Sequence, residues 1–212
     1  RSIWVTGVQT CALPISISSA NGIPLVGSMA STSSRGPSIG LQTIKPEIGA
    51  PGASVSAQVG TGDGETAFGG TSGAAPMVSG AAALLLQAFP NRTPIQIKSM
   101  LMNSANTQVF TNPALLPGGL APITRIGAGE LRVDKAIGLN AIAWNPEDES
   151  AALSFGQVDV PFDGIVLVKR VRVQNFSNSH RTYSVARSFR YANDAASGAV
   201  TVIAPEIGRA HV

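Results

Sequence analysis

Residues 71–89 are dominated by alanine, leucine and other small or apolar side chains, with Gly73 and Gly80 the only glycines and Pro90 closing the run. The pattern predicts a helix apolar nearly all round, and such a helix belongs in a core. Pro76 is expected within its first turns, where a missing N–H is tolerated. Thr93 is placed to cap a second helix, with Pro94 at its first position and Ile95, Ile97, Met100 and Leu101 forming an apolar stripe on the way to Ala105. A third, short helix is predicted around residues 133–137. Ahead of these helices, residues 17–70 are rich in Gly, Ser and Pro, broken by short apolar runs such as IPLV (23–26) and SVSAQV (54–59), and read as loops and short strands. Residues 108–125 read as irregular. A linker is expected at 144–150. Beyond it, 152–204 alternates in the manner of strands, most clearly in GIVLVKRVRVQN, and predicts a small β-sandwich.

Composition narrows this picture. The 212 residues suffice for one large domain or two small ones. Aromatic residues make up 5% and charged residues 13%, whereas 23 Gly and 14 Pro favour tight turns and close backbone packing over long solvated helices. The net charge of +3 is scattered except for KRVR at 169–172, whose alternation reads as one solvated face of a strand, so no nucleic-acid partner is expected. The longest largely apolar stretch, 81–89, falls far short of the ~20 residues of a spanning helix, and no membrane span is expected. No carboxylate cluster has metal-ligand spacing, so neither metal nor cofactor is predicted.

Both ends read as translated sequencing adapter. VTGVQTCALPI within residues 1–16 and EIGRAHV at 206–212 correspond to the two strands of a common library adapter, and both segments are expected to be foreign to the natural protein. Cys11 and His211 fall inside them and are given no role. The remaining 17–205 is then free of cysteine, which suits an exported protein without requiring export.

The chemistry gathers at GTSGAAP, residues 70–76. A serine hydroxyl is a weak nucleophile until it is presented at a special backbone position beside a base, with amide donors aimed at the developing oxyanion. Ser72 is expected to open the apolar helix, where its own N–H has no helical acceptor. It therefore carries two candidate roles, nucleophile through Oγ and oxyanion donor through its amide. Gly70, Thr71, Gly73, Ala75 and Pro76 frame it, and Gly69, Gly70 and Gly73 are expected to let a substrate backbone approach. The plain alternative is a serine capping an alanine-rich core helix.

With this heptapeptide, four further blocks resemble the subtilase family, the subtilisin-like serine proteases of peptidase family S8. STSSRGP (31–37) is similar to the FSSRGP box, with Thr32 for Phe, and KPEIGAPG (45–52) to the KPDIxAPG box, with Glu47 for Asp. TPIQIKSMLMNSA (93–105) resembles the helix after the nucleophile helix, and GAGELRVDKAI (127–137) the closing GAG box. The tail from about Leu153 resembles, more weakly, the fibronectin-III-like domain of large cell-envelope subtilases.

The resemblance implies an α/β fold: over 17–145, the C-terminal part of a subtilisin-like parallel-sheet domain with a buried central helix. An all-β fibronectin-III-like sandwich follows over 151–205, incomplete. It implies a secreted or cell-envelope serine endopeptidase that cleaves polypeptide through an acyl-enzyme on Ser72. Pro51 and Gly52 would be scaffold, and Arg35 would bond backbone carbonyls or a carboxylate. The family's Asp, His and oxyanion Asn precede this region. His180 sits in a turn-like AsnSerHisArg setting, and Asn21 is too close to the SSRGP block to match the oxyanion Asn, so this chain alone is expected to be inactive. A catalytically dead homologue and a cell-surface binding module are the competing readings.

Overall fold

The computed structural model describes residues 26–40, 43–113 and 118–203. The segments 1–16 and 206–212, Asn21 and most of the 23–26 run lie outside them. The elements run β1 (Ser54–Ala57), β2 (Glu65–Phe68), α1 (Thr71–Ala88), α2 (Pro94–Asn103), α3 (Ile123–Ile126), α4 (Val133–Ile137), β3 (Ala141–Trp144), β4 (Arg172–Asn175) and α5 (Ala192–Ser197).

The core sits where α1, α2, α4 and β3 meet. Ala81 and Leu85 of α1 pack with Ile97, Met100 and Leu101 of α2, Ala136 of α4, and Ile142 and Trp144 of β3. Helix α2 begins as its sequence predicts. Thr93 Oγ1 accepts from the Gln96 N–H at 3.4 Å and Gln96 Oε1 accepts from the Thr93 N–H at 3.0 Å, a reciprocal capping box with Pro94 opening the helix. It stops at Asn103 rather than Ala105, and the Ser104 hydroxyl donates back to the Met100 carbonyl at 2.8 Å. Helix α4 lies where predicted. Within the stretch read as irregular, 108–125, the four-residue α3 begins, too short for any periodic signal.

Three expectations are corrected. Helix α1 is not buried all round: only Gly73, Ala81 and Leu85 are, while Met77, Leu84 and Leu86 face solvent. One stripe meets α2 and α4, and among the described residues no parallel sheet covers the other side. The strands form two antiparallel pairs, β1 with β2 and β3 with β4; among the described residues, parallel pairing is confined to the single bridges Ser28–Phe110 and Gly49–Glu130. Second, 144–150 is no solvated linker at its start. Trp144 and Asn145 are buried, and the chain turns back through a bridge from Asn145 to Ser150. Third, strands do not run throughout the tail: the described part of 151–203 holds one strand, β4, and the short α5. An alternating segment gains stability as a strand when further strands or a packed helix cover its apolar face, and here Val166 and Val168 stay 88% and 81% exposed.

Candidate nucleophile site

Box KPEIGAPG is the floor of the site. Glu47 receives Lys45 at 3.0 Å and Lys98 of α2 in ion pairs. Burial alone would raise its carboxyl, but the hydrogen bonds and charges of the two lysines outweigh that and hold it below the ordinary glutamate value. Its neighbour Ile48 packs on the core. Gly49 then exchanges backbone bonds with the GAG box: its N–H donates to the Gly129 carbonyl and its carbonyl accepts from Leu131, each at 2.8 Å. Glu130 in turn pairs with Asn106 through bonds of 2.8 and 2.9 Å. Blocks far apart in sequence thus become one hydrogen-bonded layer.

From this layer the chain passes Pro51 and Gly52, runs out along β1, and returns along β2 to Gly69 and Gly70. Gly52 is where the hairpin closes. A Cβ on Gly52 would stand 2.8 Å from the Gly70 carbonyl oxygen; one on Gly73 would stand 2.6 Å, and one on Gly69 3.1 Å, from the Gly52 carbonyl oxygen. Two backbones therefore touch at the start of α1. The space at Gly69 and Gly73 is taken by this chain's own backbone, which corrects the expectation that both leave room for a substrate.

Gly70 is the N-cap, with φ 77° and ψ −160°, a conformation open essentially to glycine alone. It turns the returning strand into the helix, and its carbonyl accepts from Gly73 at 3.0 Å and Ala74 at 3.2 Å. Thr71 is the first helical residue and Ser72 the second, both exposed. Among the described residues nothing bonds the Ser72 hydroxyl or accepts its N–H. Ala75 and Pro76 are also exposed. Pro76 is the sixth helical residue, beyond the turn in which amides lack partners; the bond it omits is the one to the Ser72 carbonyl. The expectation that its missing N–H is free of consequence is corrected accordingly.

His180 is exposed and follows Phe176, which packs beside Phe89 past the far end of α1. At 1.5 Å per residue, the helix separates Ser72 from Ala88 by about 24 Å. Arg35 is exposed and, among the described residues, without a partner, contrary to its expected bonding. The buried guanidinium is that of Arg125, whose Nη2 donates to the Ala30 carbonyl at 3.0 Å. Burial, then the nearby Arg35 charge, lowers its pKa. Among the described residues no three His, Cys, Asp or Glu side chains gather closely enough to hold a metal ion, and no helix is long and apolar enough to cross a membrane.

A family model described as the subtilase family, peptidase S8, matches residues 4–138. The chain belongs to the subtilase family. The match begins inside the segment read as adapter and takes in all five blocks. This subtilase chain is also 30% identical over 182 residues to the minor extracellular protease Vpr of Bacillus subtilis (strain 168), an alignment that spans 84% of this chain and 21% of Vpr. It is 41% identical over 103 residues to the subtilisin-like protease SBT3.16 of Arabidopsis thaliana, covering 46% of this chain and 14% of that protein. The chain therefore spans about a fifth or less of these curated relatives. Because the Vpr alignment covers more of the chain than residues 4–138 contain, the likeness to Vpr continues into the tail.

Proposed function

We propose that this chain is the nucleophile-bearing part of a serine endopeptidase that cleaves polypeptide through an acyl-enzyme on Ser72. The observation that carries the proposal is the presentation of Ser72: an exposed hydroxyl without a partner among the described residues, in the first turn of an 18-residue helix entered through a glycine-only backbone conformation. Its free N–H suits an oxyanion donor, since the first amides of a helix point outward with the positive end of the helix dipole. Gly70, Thr71, Gly73, Ala75 and Pro76 support the presentation and take no part in the bond chemistry.

The base, its orienting carboxylate and a side-chain oxyanion donor would come from a part of the parent protein that this chain does not span, in keeping with the small share of Vpr it matches. Without them the 212-residue chain is inactive, because a triad deprived of base and orienter loses most of its rate enhancement. Export to the cell exterior or envelope is supported by the extracellular description of Vpr and by the lack of cysteine in 17–205. The alternation over 151–205 and the continued likeness to Vpr favour the start of a fibronectin-III-like domain. The ends, 1–16 and 206–212, are proposed to be adapter-derived.

A fluorophosphonate probe on the full-length parent tests this reading. The expected result is covalent labelling that Ser72→Ala abolishes; labelling unchanged by that substitution refutes it. Absent labelling of the parent favours the catalytically dead homologue.

A further inference from the structure

After residue 180 the described tail is exposed at nearly every position, and only Tyr183, Arg190 and Tyr191 are partly covered. Two of these three reach a single patch of the preceding module. Arg190 donates from Nε to the Ala121 carbonyl at 2.6 Å, from Nη1 to the Thr107 carbonyl at 3.0 Å and from Nη2 to the Val109 carbonyl at 3.2 Å. The Tyr191 hydroxyl donates to the Leu120 carbonyl at 3.0 Å. Among the described residues no carboxylate shares the site; it consists of backbone oxygens.

The acceptors are held in place before the tail arrives. The Thr107 carbonyl already accepts from the Val109 N–H at 2.9 Å, and the Val109 carbonyl from the Ala121 N–H at 2.8 Å, so each offers Arg190 its second lone pair. Val109 and Ala121 are buried with Ile126, and Met29 packs against them, which fixes the backbone that presents the oxygens. A planar guanidinium with diverging N–H groups can serve three such oxygens at once; an ammonium on a flexible stem reaches fewer in fixed directions. Tyr191 is the N-cap of α5 and its carbonyl accepts from Ala195, while Arg187 Nη1 donates to the Val202 carbonyl at 2.7 Å, so the tail is folded back around its own latch.

We propose that the carbonyls of Thr107, Val109 and Ala121 form a guanidinium-recognition surface on the subtilase module, with the Leu120 carbonyl beside them taking a phenol hydroxyl. Its partner is the chain's own tail, seated through Arg190 and Tyr191. The surface adjoins the layer beneath the nucleophile: Thr107 follows Asn106, which pairs with Glu130, and Gly49 bonds to either side of Glu130. Seating the tail therefore ties down 106–112 and 119–131 from outside, independently of whether Ser72 is catalytic.

Hydrogen exchange on the 212-residue chain, read by mass spectrometry, tests this. In Arg190→Ala, peptides covering 106–112 and 119–131 are expected to exchange at least tenfold faster while α2 keeps its protection. N-ethylguanidinium at millimolar concentration should restore protection in that variant, and Arg190→Lys should behave like Arg190→Ala. Unchanged exchange in Arg190→Ala, no rescue by N-ethylguanidinium, or full protection in Arg190→Lys overturns the proposal. If Arg190→Ala unfolds the whole chain, Tyr191→Phe carries the test: faster exchange confined to residues near 119–121 supports the surface, and exchange equal to the parent chain overturns it.

Discussion

The Gly52 carbonyl oxygen lies 2.6 Å from where a Cβ on Gly73 would stand. A backbone atom of the APG box therefore stands where a side chain on α1 would need room, and neither partner can rotate away. Gly73→Ala is expected to destabilise the chain by about 2–3 kcal/mol through overpacking. Gly80 lies in the same helix, and a methyl group there would have nothing within 4 Å to meet. Gly80→Ala is expected to stabilise by about 0.5–1 kcal/mol. Urea unfolding of the two variants checks both signs.

Ser72→Ala should leave stability within about 0.5 kcal/mol of the parent chain, because the lost hydroxyl is exposed and has no partner among the described residues. Thermal unfolding checks this. The result separates a chemical role for Ser72 from a structural one, since a capping serine would cost about 1 kcal/mol when removed.

Gln96 serves two elements at once. Its Oε1 closes the capping box with Thr93, and its Nε2 donates to Gln174 Oε1 of β4 at 3.0 Å. Thr93→Ala is expected to cost about 0.5–1 kcal/mol, the scale of one helix cap. Gln96→Ala keeps the bond from its backbone N–H to Thr93 Oγ1 and removes the reciprocal bond to the Thr93 N–H together with the bridge to β4, so it alone should raise hydrogen exchange in β3 and β4.

Glu47 links the floor of the site to α2 through Lys98. Its folded-state pKa lies below the unfolded value, so its contribution to stability is fully present at neutral pH and is lost as pH falls through the lowered folded pKa. Glu47→Gln should therefore be less stable than the parent chain at neutral pH, with the difference shrinking below the ordinary glutamate range. Unfolding midpoints measured from about pH 7 down to about pH 3 check this, a span that brackets the ordinary glutamate range; a difference that stays constant would remove Glu47 from the pH response.

Beyond the tail latch, β4 is held to the module by the Arg92 guanidinium, whose Cζ is 3.0 Å from the Phe176 ring centroid and 5.4 Å from that of Phe89. Phe176→Ala is expected to destabilise by about 2 kcal/mol or more, given the ring's packing on the core as well as the cation–π contact. Phe176→Leu, which keeps the apolar volume and removes the ring, isolates the cation–π share at roughly 0.5–2 kcal/mol. Chemical denaturation of the pair measures it.

Much of the local order was legible in the sequence. Thr93–Pro94 fixed the start of α2, since a side-chain acceptor and a residue lacking an N–H satisfy the end of a helix without outside help. The apolar run at 71–89 placed α1, and the GTSGAAP block singled out Ser72 as a candidate, because local conformation and candidate chemistry there depend on adjacent residues. What required the tertiary structure was every relation between distant segments. The Gly52 carbonyl occupying the space beside Gly73, the layer joining Gly49, Glu130 and Asn106, and the carbonyl surface that receives Arg190 use backbone atoms, which look the same for every residue type. Burial of α1 was overestimated for a related reason: composition shows that a helix is apolar, but only neighbouring elements determine how many of its faces are covered. The tail reads as alternating strands yet pairs at β4 alone, because alternation states which side chains would share a face and leaves open whether a second sheet is there to cover them.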